Sequence, residues 1–335
     1  MKTTEDIIAF SRDALGLSPS VDLGLTALAG RGSDRAYFRL RWDGDESAIL
    51  VAYDAKRVEN AYFADIAVFL NGIGIPTPRI IRHDPAGCLI IMEDLGDTDL
   101  WSVRGAPWEE RREFYRQSLI VINRLHIFPD RDFPSSCVRL TEPFDAALYR
   151  WERDYFKEHF VKDFCRLGLP DLSEEGLEEE LSALAARLSA GPKCLVHRDL
   201  QSQNLMIRDG NVFLIDFQGM RFGSPFYDLG SLLCDPYVTF ADNEREELIS
   251  FYYDLADRDV DLAGFRSLFW QASAQRLMQA LGAYGFLGLR KGLERFLQHV
   301  PAGLSNLRRA AAHAGALPRL LELCVICQKA VEQKG

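Results

Sequence analysis

The sequence has no excess of positive charge and no long apolar run. Its 39 Lys and Arg residues face 49 Asp and Glu residues, which gives a net charge of −10. Nucleic acids and anionic membranes bind positive surfaces, so neither is expected as a partner. The apolar runs are far shorter than the ~20 residues that span a bilayer, and the opening MKTTEDIIAF lacks a signal-peptide pattern. We expect a cytoplasmic protein, and a monomer or a weak dimer.

The sequence also lacks a disulfide framework, because its seven cysteines are scattered and odd in number. This usage fits a reducing compartment. Cys324 and Cys327 form a CxxC spacing inside a helical pattern, which places both on one helix face. No second cysteine pair completes a zinc site. We interpret the pair as packing, with redox or metal chemistry as the alternative.

The hydrophobic pattern predicts an α+β protein with two lobes. The chain has 335 residues, 47% of them hydrophobic, which is typical of about two domains. The predicted early elements are helices at 4–15 and 57–72 and strands at 25–30, 35–42, 47–53, 79–83 and 88–93. From about 107 onward the pattern is helical, apart from short strands around 195–215. We predict a small β-rich, nucleotide-binding lobe at 1–95, a larger helical lobe at 96–335 that carries catalysis and the acceptor, and a ligand-binding cleft between them.

The second predicted strand alternates strictly between two kinds of residue. In RAYFRLRW (35–42), apolar residues at even positions alternate with Arg35, Tyr37, Arg39 and Arg41. This period of two predicts a strand with one buried face and one polar face.

The segment LVHRDLQSQNLMIRDGNVFLIDFQG (195–219) carries polar residues beside apolar strands. Asp209-Gly210 between two apolar runs predicts a hairpin in which Ile207 faces Val212. That register brings Asn204 and Asp216 side by side at the open end of the hairpin. An amide oxygen and a carboxylate held together suit a hard cation such as Mg²⁺.

The same segment fits the H-R-D-x-x-x-x-N and D-F-x pattern of kinase-type phosphoryl transfer. Asp199 would orient the acceptor hydroxyl and take its proton, while Mg²⁺ on Asn204 and Asp216 would neutralise the phosphoryl charge. The alternative is a chance HRD tripeptide and a turn-capping Asp216. The combined spacing favours the kinase interpretation.

Two further segments are candidates for ATP binding. A loop with Gly30, Gly32 and Ser33 joins the first two strands and would cover the phosphates, although most such loops are plain hairpins. The connector that includes Met92, Glu93 and Leu95 would offer backbone groups to adenine. Neither G-x-x-x-x-G-K-[ST] nor the Rossmann glycine fingerprint occurs, which disfavours those nucleotide-binding folds.

The spacing after DFQ separates protein kinases from small-molecule kinases. Few residues lie between Gln218 and SPFYDLGSLL (224–233), so an activation loop has no room. The sequence resembles the aminoglycoside/choline-type phosphotransferases, which are small-molecule kinases with the protein-kinase fold. The resemblance implies ATP and Mg²⁺ as cofactors, Asp199 as the base, and support of the catalytic loop by Asp228.

A narrower resemblance covers nearly the whole chain. Blocks such as SDRAYFRL (33–40), IMEDLGD (91–97), HRDLQSQNLM (197–206) and QRLMQALGAYGFLG (275–288) are similar to bacterial kinases of the anomeric hydroxyl of N-acetylmuramate and N-acetylglucosamine. That resemblance implies an N-acetylated amino sugar as acceptor and a role in peptidoglycan recycling.

The sequence departs from protein kinases in the third strand, where ILVAYDAK has no lysine within its apolar core. Arg35 is a candidate for the missing phosphate-binding charge, and a solvated arginine is the alternative. Candidate acceptor contacts are Gln201, Gln218, Asp235, Tyr237, Glu152 and Arg153. For Glu152 and Arg153 an exposed helix pair is the alternative, and for Asp235 a role like that of an N-cap.

Two other functions stay open on the sequence alone. One is a kinase of a cationic acceptor such as an aminoglycoside or amino alcohol, which the acidic net charge permits. The other is a catalytically weak nucleotide-binding module, supported only by the missing lysine. If the acceptor is N-acetylmuramate, its lactyl carboxylate needs a cation, and Arg153 or Arg221 could serve.

Overall fold

The computed structural model describes residues 3–28, 35–168, 174–256 and 260–333. The chain divides into two compact units. Unit 1 comprises Met1–Thr98, Pro134–Thr141 and Leu205–Gly219, and unit 2 comprises Asp99–Phe133, Glu142–Asn204 and Met220–Gly335. Unit 1 therefore contains the whole predicted N-terminal lobe together with two later segments.

The helices are α1 (Thr4–Leu15), α2 (Phe63–Gly72), α3 (Trp108–His126), α4 (Ala146–Phe156), α5 (Glu174–Ala190), α6 (Pro225–Leu233), α7 (Asp242–Leu255), α8 (Leu262–Gly285), α9 (Val300–His313) and α10 (Pro318–Glu332). The strands are β1 (Gly24–Ala27), β2 (Ala36–Trp42), β3 (Glu46–Ala52), β4 (Ile80–Asp84), β5 (Leu89–Glu93), β6 (Cys194–Val196), β7 (Leu205–Arg208), β8 (Asn211–Leu214) and β9 (Arg221–Gly223). The prediction of an α+β protein with a β-rich part followed by a mainly helical part is confirmed.

Unit 1 is built on a five-stranded antiparallel sheet in the order β1-β2-β3-β5-β4. Its core includes Leu40, Leu50, Leu89 and Ile91, and apolar residues of α1 pack against it. A capping box between Thr3 and Asp6 begins α1, and the left-handed Gly16 ends it. The predicted helix at 4–15 is confirmed.

The polar face of β2 is more buried than the alternating pattern predicts. Leu40 enters the core as expected, but Arg35, directly before β2, and Arg39 on the other face are only 9% and 8% exposed. Arg39 lies 2.6 Å from Asp94 and 2.9 Å from Asp97, so its charge is paired where it is buried. The polar face is therefore covered at these two arginines, because carboxylates from later segments supply their partners, whereas Arg41 on the same face is exposed.

The predicted hairpin is confirmed in its register. β7 and β8 pair with Ile207 opposite Val212, and the turn residues Asp209 and Gly210 have positive φ angles of 51° and 74°. This is the backbone of a type I′ turn, which the Asp-Gly pair favours. The N–H of Ile207 donates to the carbonyl of Thr98, and the N–H of Leu214 to that of Pro76, both at 2.8 Å. These bonds join the hairpin to unit 1.

Unit 2 is helical, with α8 packed against α4, α6 and α9. The packing is close enough that a Cβ at Gly230 of α6 would lie 2.8 Å from the Cα of Ser273 on α8. Cys324 and Cys327 are both buried in α10, in agreement with a packing role. Among the described residues, no helix is long and apolar enough to span a membrane.

A short antiparallel ribbon in unit 2 was not expected from the sequence. β6, one of the short strands predicted around 195–215, pairs with β9, and Val196 lies opposite Arg221. β9 contains only Arg221, Phe222 and Gly223, too few residues for an alternating pattern to be visible.

Candidate active site

A buried aspartate holds the backbone that leads into Asp199. Asp228 of α6 is fully buried and accepts hydrogen bonds from the N–H groups of His197 (2.7 Å) and Arg198 (2.8 Å). Its Oδ2 also lies 3.1 Å from Nε2 of His126 on α3. Arg198 has a φ of 78°, so the backbone adopts a left-handed conformation immediately before Asp199. These contacts fit the supporting role that the resemblance implies for Asp228.

Two arginines lie against the carboxylate of Asp199. Nη1 of Arg198 is 3.2 Å from Oδ2, and Nη2 of Arg276 is 3.4 Å from Oδ1. Burial alone would raise the pKa of Asp199, but the positive charges of Arg198, Arg276 and Arg221 lower it below the usual range. The carboxylate is therefore ionised at neutral pH, while 28% of its side chain remains exposed.

The arginines around Asp199 form a positive cluster, which we define as Arg198, Arg221 and Arg276. Arg276 comes from α8, where it also donates to the Ser231 hydroxyl at 2.9 Å. Burial and the nearby Arg198 lower the pKa of Arg221 from its ordinary value. Three guanidinium groups of unit 2 thus act on the charge of Asp199. Arg276 was not predicted as a site residue, because it stands 77 residues from Asp199 inside a helix with no charge pattern.

The loop after Asp199 is held by the side chain of Asn204 within it and by that of Asp235, which follows α6. The amide Nδ2 of Asn204 donates to the Asp199 carbonyl at 2.8 Å. Asp235 accepts from both the N–H (2.8 Å) and the hydroxyl (2.6 Å) of Ser202, and from the N–H of Tyr237 (2.9 Å). Asp235 is fully buried, and burial raises its pKa despite these bonds. This geometry favours a bracing role for Asp235 over contact with an acceptor.

Glu152 and Arg153 of α4 are buried, so the alternative of an exposed helix pair does not hold. Glu152 accepts a hydrogen bond from the Tyr227 hydroxyl at 2.7 Å and one from Gln275 at 3.0 Å. Burial raises its pKa, although those bonds oppose the shift. Nη2 of Arg153 donates to Glu178 of α5 at 2.6 Å. Both residues thus connect helices within unit 2.

Two predicted acceptor contacts lie near Asp199. Burial, together with the charges of Asp235 and Asp199, raises the pKa of Tyr237 to about 12. The hydroxyl of Tyr237 is therefore protonated at neutral pH and can donate to an acceptor oxygen. Gln201 is half-buried in the loop itself, and its N–H donates to the Asp199 carbonyl at 2.8 Å.

In unit 1, Arg35 is joined to Asp216 and Gln218. Nη2 of Arg35 donates to Oδ1 of Asp216, and Nη1 donates to Oε1 of Gln218 at 2.7 Å. The amide of Gln218 donates in turn to Oδ1 of Asp216 at 3.2 Å. The Arg35 side chain is 7% exposed, which excludes the alternative of a solvated arginine.

Packing fixes the residue between Asp216 and Gln218. The ring of Phe217 is fully buried and stacks on Phe63 of α2, with centroids 4.5 Å apart and planes 17° apart. Asp216 itself has a φ of 63°, an unusual value for a residue other than glycine. The stack anchors the chain on one side of Asp216, so its strained backbone is held in place.

The connector after β5 is also fixed within unit 1. Glu93 lies 2.8 Å from Nη1 of Arg208 and accepts a hydrogen bond from the N–H of Arg79 at 3.2 Å. Met92 and Leu95 are buried. The predicted phosphate-loop residues Gly30, Gly32 and Ser33 lie outside the described residues.

Comparison with known proteins identifies the class of enzyme. The model of the phosphotransferase enzyme family (APH) matches residues 24–268. The chain belongs to this family. The N-acetylmuramate/N-acetylglucosamine kinase of Neisseria meningitidis is 25% identical over 313 residues, which cover 92% of this chain and 91% of that protein.

Solved structures show the same fold. A choline/ethanolamine kinase family protein from Mesorhizobium loti has a TM-score of 0.61 and 18% identity, and the match covers 96% of this chain and 99% of that one. The streptomycin–ATP–APH(2″)-IIa ternary complex has a TM-score of 0.57 and 16% identity, with coverage of 89% and 97%. The chain thus has the protein-kinase-like fold. As a member of this family, it is an ATP-dependent kinase of a hydroxyl-bearing small molecule.

Proposed function

We propose that this kinase phosphorylates the anomeric hydroxyl of an N-acetylated amino sugar, N-acetylglucosamine or N-acetylmuramate, with Mg²⁺ and ATP. The observation that carries the proposal is the 25% identity, over 92% of the chain, to a kinase named for these two sugars. A role in recycling cell-wall sugars follows from that acceptor. Because ATP is an intracellular phosphoryl donor, we place the reaction in the cytoplasm.

Asp199 is the proposed general base. Its pKa lies below the usual range because of the arginines beside it, so it is ready to accept a hydrogen bond from the sugar hydroxyl. In phosphoryl transfer such a residue chiefly orients the nucleophile and receives its proton as the bond to phosphorus forms. The hydrogen bonds from His197 and Arg198 to Asp228 support the loop that positions it.

Asn204 and Asp216 are the proposed Mg²⁺ ligands. Both offer oxygen atoms, the ligand type that Mg²⁺ prefers. The amide nitrogen of Asn204 donates a hydrogen bond to the Asp199 carbonyl. This bond fixes the orientation of the side chain and leaves its oxygen available to a cation. Asn204 directly precedes β7, and Asp216 follows β8 by two residues. Bound Mg²⁺ would neutralise charge on the transferred phosphoryl group.

The nucleotide is proposed to bind to residues of unit 1. The backbone of Met92, Glu93 and Leu95 would meet the adenine. The loop with Gly30, Gly32 and Ser33 stays the predicted cover of the phosphates. Arg35 is the proposed phosphate-binding cation, since it is buried beside Asp216 and β3 contains no lysine.

The positive cluster bears on the choice of acceptor. Arg198, Arg221 and Arg276 all act on the charge of Asp199. A cationic aminoglycoside or amino alcohol would meet repulsion at this place, whereas a neutral sugar or one with a carboxylate would not. Gln201, Gln218 and Tyr237 remain proposed contacts to sugar oxygens. Arg221 is the proposed partner of a lactyl carboxylate.

A panel of acceptors tests the proposal. ATP consumption would be measured with Mg²⁺ and N-acetylglucosamine, N-acetylmuramate, glucosamine, galactose, choline or kanamycin. We expect turnover with the two N-acetylated sugars. Turnover with choline or kanamycin alone would reject the sugar assignment while retaining the kinase. Binding of ATP without turnover on any acceptor would favour a nucleotide-binding module instead.

A further inference from the structure

Arg35, Asp216 and Gln218 form a closed set of hydrogen bonds in unit 1. Arg35 donates to both partners, and Gln218 donates to the same oxygen of Asp216 that Arg35 contacts. Their contacts converge on Oδ1 of Asp216. The side chain of Asp216 is 30% exposed, against 7% for Arg35, so a ligand can reach the carboxylate more readily than the guanidinium.

The occupied oxygen is of the type that a metal ion needs. Mg²⁺ binds carboxylate oxygens, and a guanidinium that is hydrogen-bonded to Oδ1 of Asp216 repels a second cation at either oxygen of that carboxylate. Metal binding at Asp216 therefore competes with the Arg35 contact. If Arg35 is released from Asp216, its guanidinium needs another anionic partner, because a buried guanidinium is costly to leave unpaired.

Other anionic groups are available to Arg35. Burial alone would lower the pKa of Arg35, but the negative charges of Asp216 and Glu59 and the hydrogen bond to Asp216 raise it above its ordinary value. Glu59 is half-buried on the 3₁₀ helix Val58–Tyr62 that precedes α2. The carboxylate of Glu59 would balance part of the positive charge of Arg35, and the phosphates of a nucleotide would balance the remainder.

We propose that Arg35 and Gln218 form a latch on Asp216, and that Arg35 moves from Asp216 to the nucleotide phosphates when metal and nucleotide bind. The inference rests on the proposed role of Asp216 as a metal ligand. Arg35 is thus a positioning residue for the metal site as well as a phosphate contact. Since the metal needs Asp216 free and the phosphates draw Arg35 away, metal and nucleotide should bind cooperatively.

Binding measurements without an acceptor test the latch. Free Mn²⁺, used in place of Mg²⁺, would be followed by its electron paramagnetic resonance signal, and ADP binding by calorimetry. In Arg35→Met we expect the Mn²⁺ affinity of the nucleotide-free protein to rise about tenfold, because Asp216 is released. We expect the ADP affinity at saturating Mn²⁺ to fall at least about tenfold, because a phosphate contact is lost. General damage to the fold would lower both affinities.

Two other variants sharpen the test. Arg39→Met removes another buried arginine from the same face of β2, paired with Asp94 rather than Asp216, and should leave Mn²⁺ affinity unchanged. Gln218→Leu changes a half-buried side chain and should raise Mn²⁺ affinity by a smaller factor, so it tests the latch even if Arg35→Met does not fold. Unchanged or weaker Mn²⁺ binding in the folded variants would overturn the latch. If the ADP complex of Asp216→Asn still bound Mn²⁺, that result would contradict the proposed metal site and not the latch.

Discussion

The guanidinium of Arg276 lies 3.4 Å from the carboxylate of Asp199, although 77 residues separate them in the chain. This contact links α8 to the catalytic loop. Arg276 therefore helps Arg198 to keep the proposed base ionised, although it belongs to a helix far from the catalytic loop in sequence.

Asp199→Asn should lower kcat by about 10²–10⁴-fold, because a general base in a proton transfer contributes about that much. The dissociation constant of Mg–ADP should change by less than about threefold, since nucleotide binding does not use this carboxylate. Steady-state kinetics and calorimetry would measure the two quantities. Asp209→Asn, in the exposed hairpin turn, is the matched control and should retain full activity. Full turnover by Asp199→Asn would reject the mechanism.

The pH profile of kcat/KM should lack an acid limb above about pH 4. Asp199 must be ionised to act, and its pKa lies below the usual value of about 3.9 because of Arg198 and Arg276. Activity therefore falls only when the pH drops through that lowered pKa. Arg276→Gln removes one positive charge and should move the limb toward neutral pH. An unmoved limb in this variant, with the fold intact by circular dichroism, would contradict the electrostatic role of Arg276.

Asp228→Asn should weaken both folding and catalysis. The amide can accept at only one oxygen, so one of the two N–H groups at His197 and Arg198 loses its partner. A buried donor left unsatisfied costs about 1–3 kcal/mol. Urea denaturation would measure the free energy of unfolding, and kcat should fall at temperatures where the variant is folded. A variant with unchanged stability and kcat would show that Asp228 does not brace the loop.

Arg221→Gln should change the preference between acceptors. If Arg221 pairs with the lactyl carboxylate, kcat/KM for N-acetylmuramate should fall about tenfold or more, the typical size of a charge-assisted hydrogen bond. The value for N-acetylglucosamine, which has no carboxylate, should change by less than about threefold. Each acceptor serves as the control for the other. Equal losses for both would assign Arg221 to the general environment of Asp199.

Local patterns in the sequence were sufficient for much of the fold. The alternation in β2, the helix at 4–15 and the Asp-Gly turn of the hairpin each depend on neighbouring residues, and each was predicted from them. β9 was missed because it has three residues and is defined only by its pairing with β6. Pairing between distant segments leaves no periodic signal in so short a strand.

The candidate site shows the same difference between local patterns, which could be predicted, and tertiary contacts, which could not. Asp199, Asn204 and Asp216 were predicted from their spacing, since kinase-type phosphoryl transfer needs such residues at fixed separations on one loop and hairpin. The environment of these residues depends on tertiary contacts. Thus Arg276 was not foreseen, and Asp235 and Glu152 were expected near an acceptor but lie buried as hydrogen-bond acceptors within unit 2. Sequence spacing does not show which polar residues a fold will bury.

The most direct test of the account is the position of phosphate in the product formed from N-acetylglucosamine, Mg²⁺ and ATP. A ³¹P NMR spectrum shows coupling to the anomeric proton only if the phosphate is on C1. We predict that the product of the wild-type protein shows this coupling. With Asp199→Asn, we expect the product, and the coupling with it, to be lost. Phosphate on another carbon, or no sugar phosphate at all, would contradict the assignment of this chain as a sugar 1-kinase.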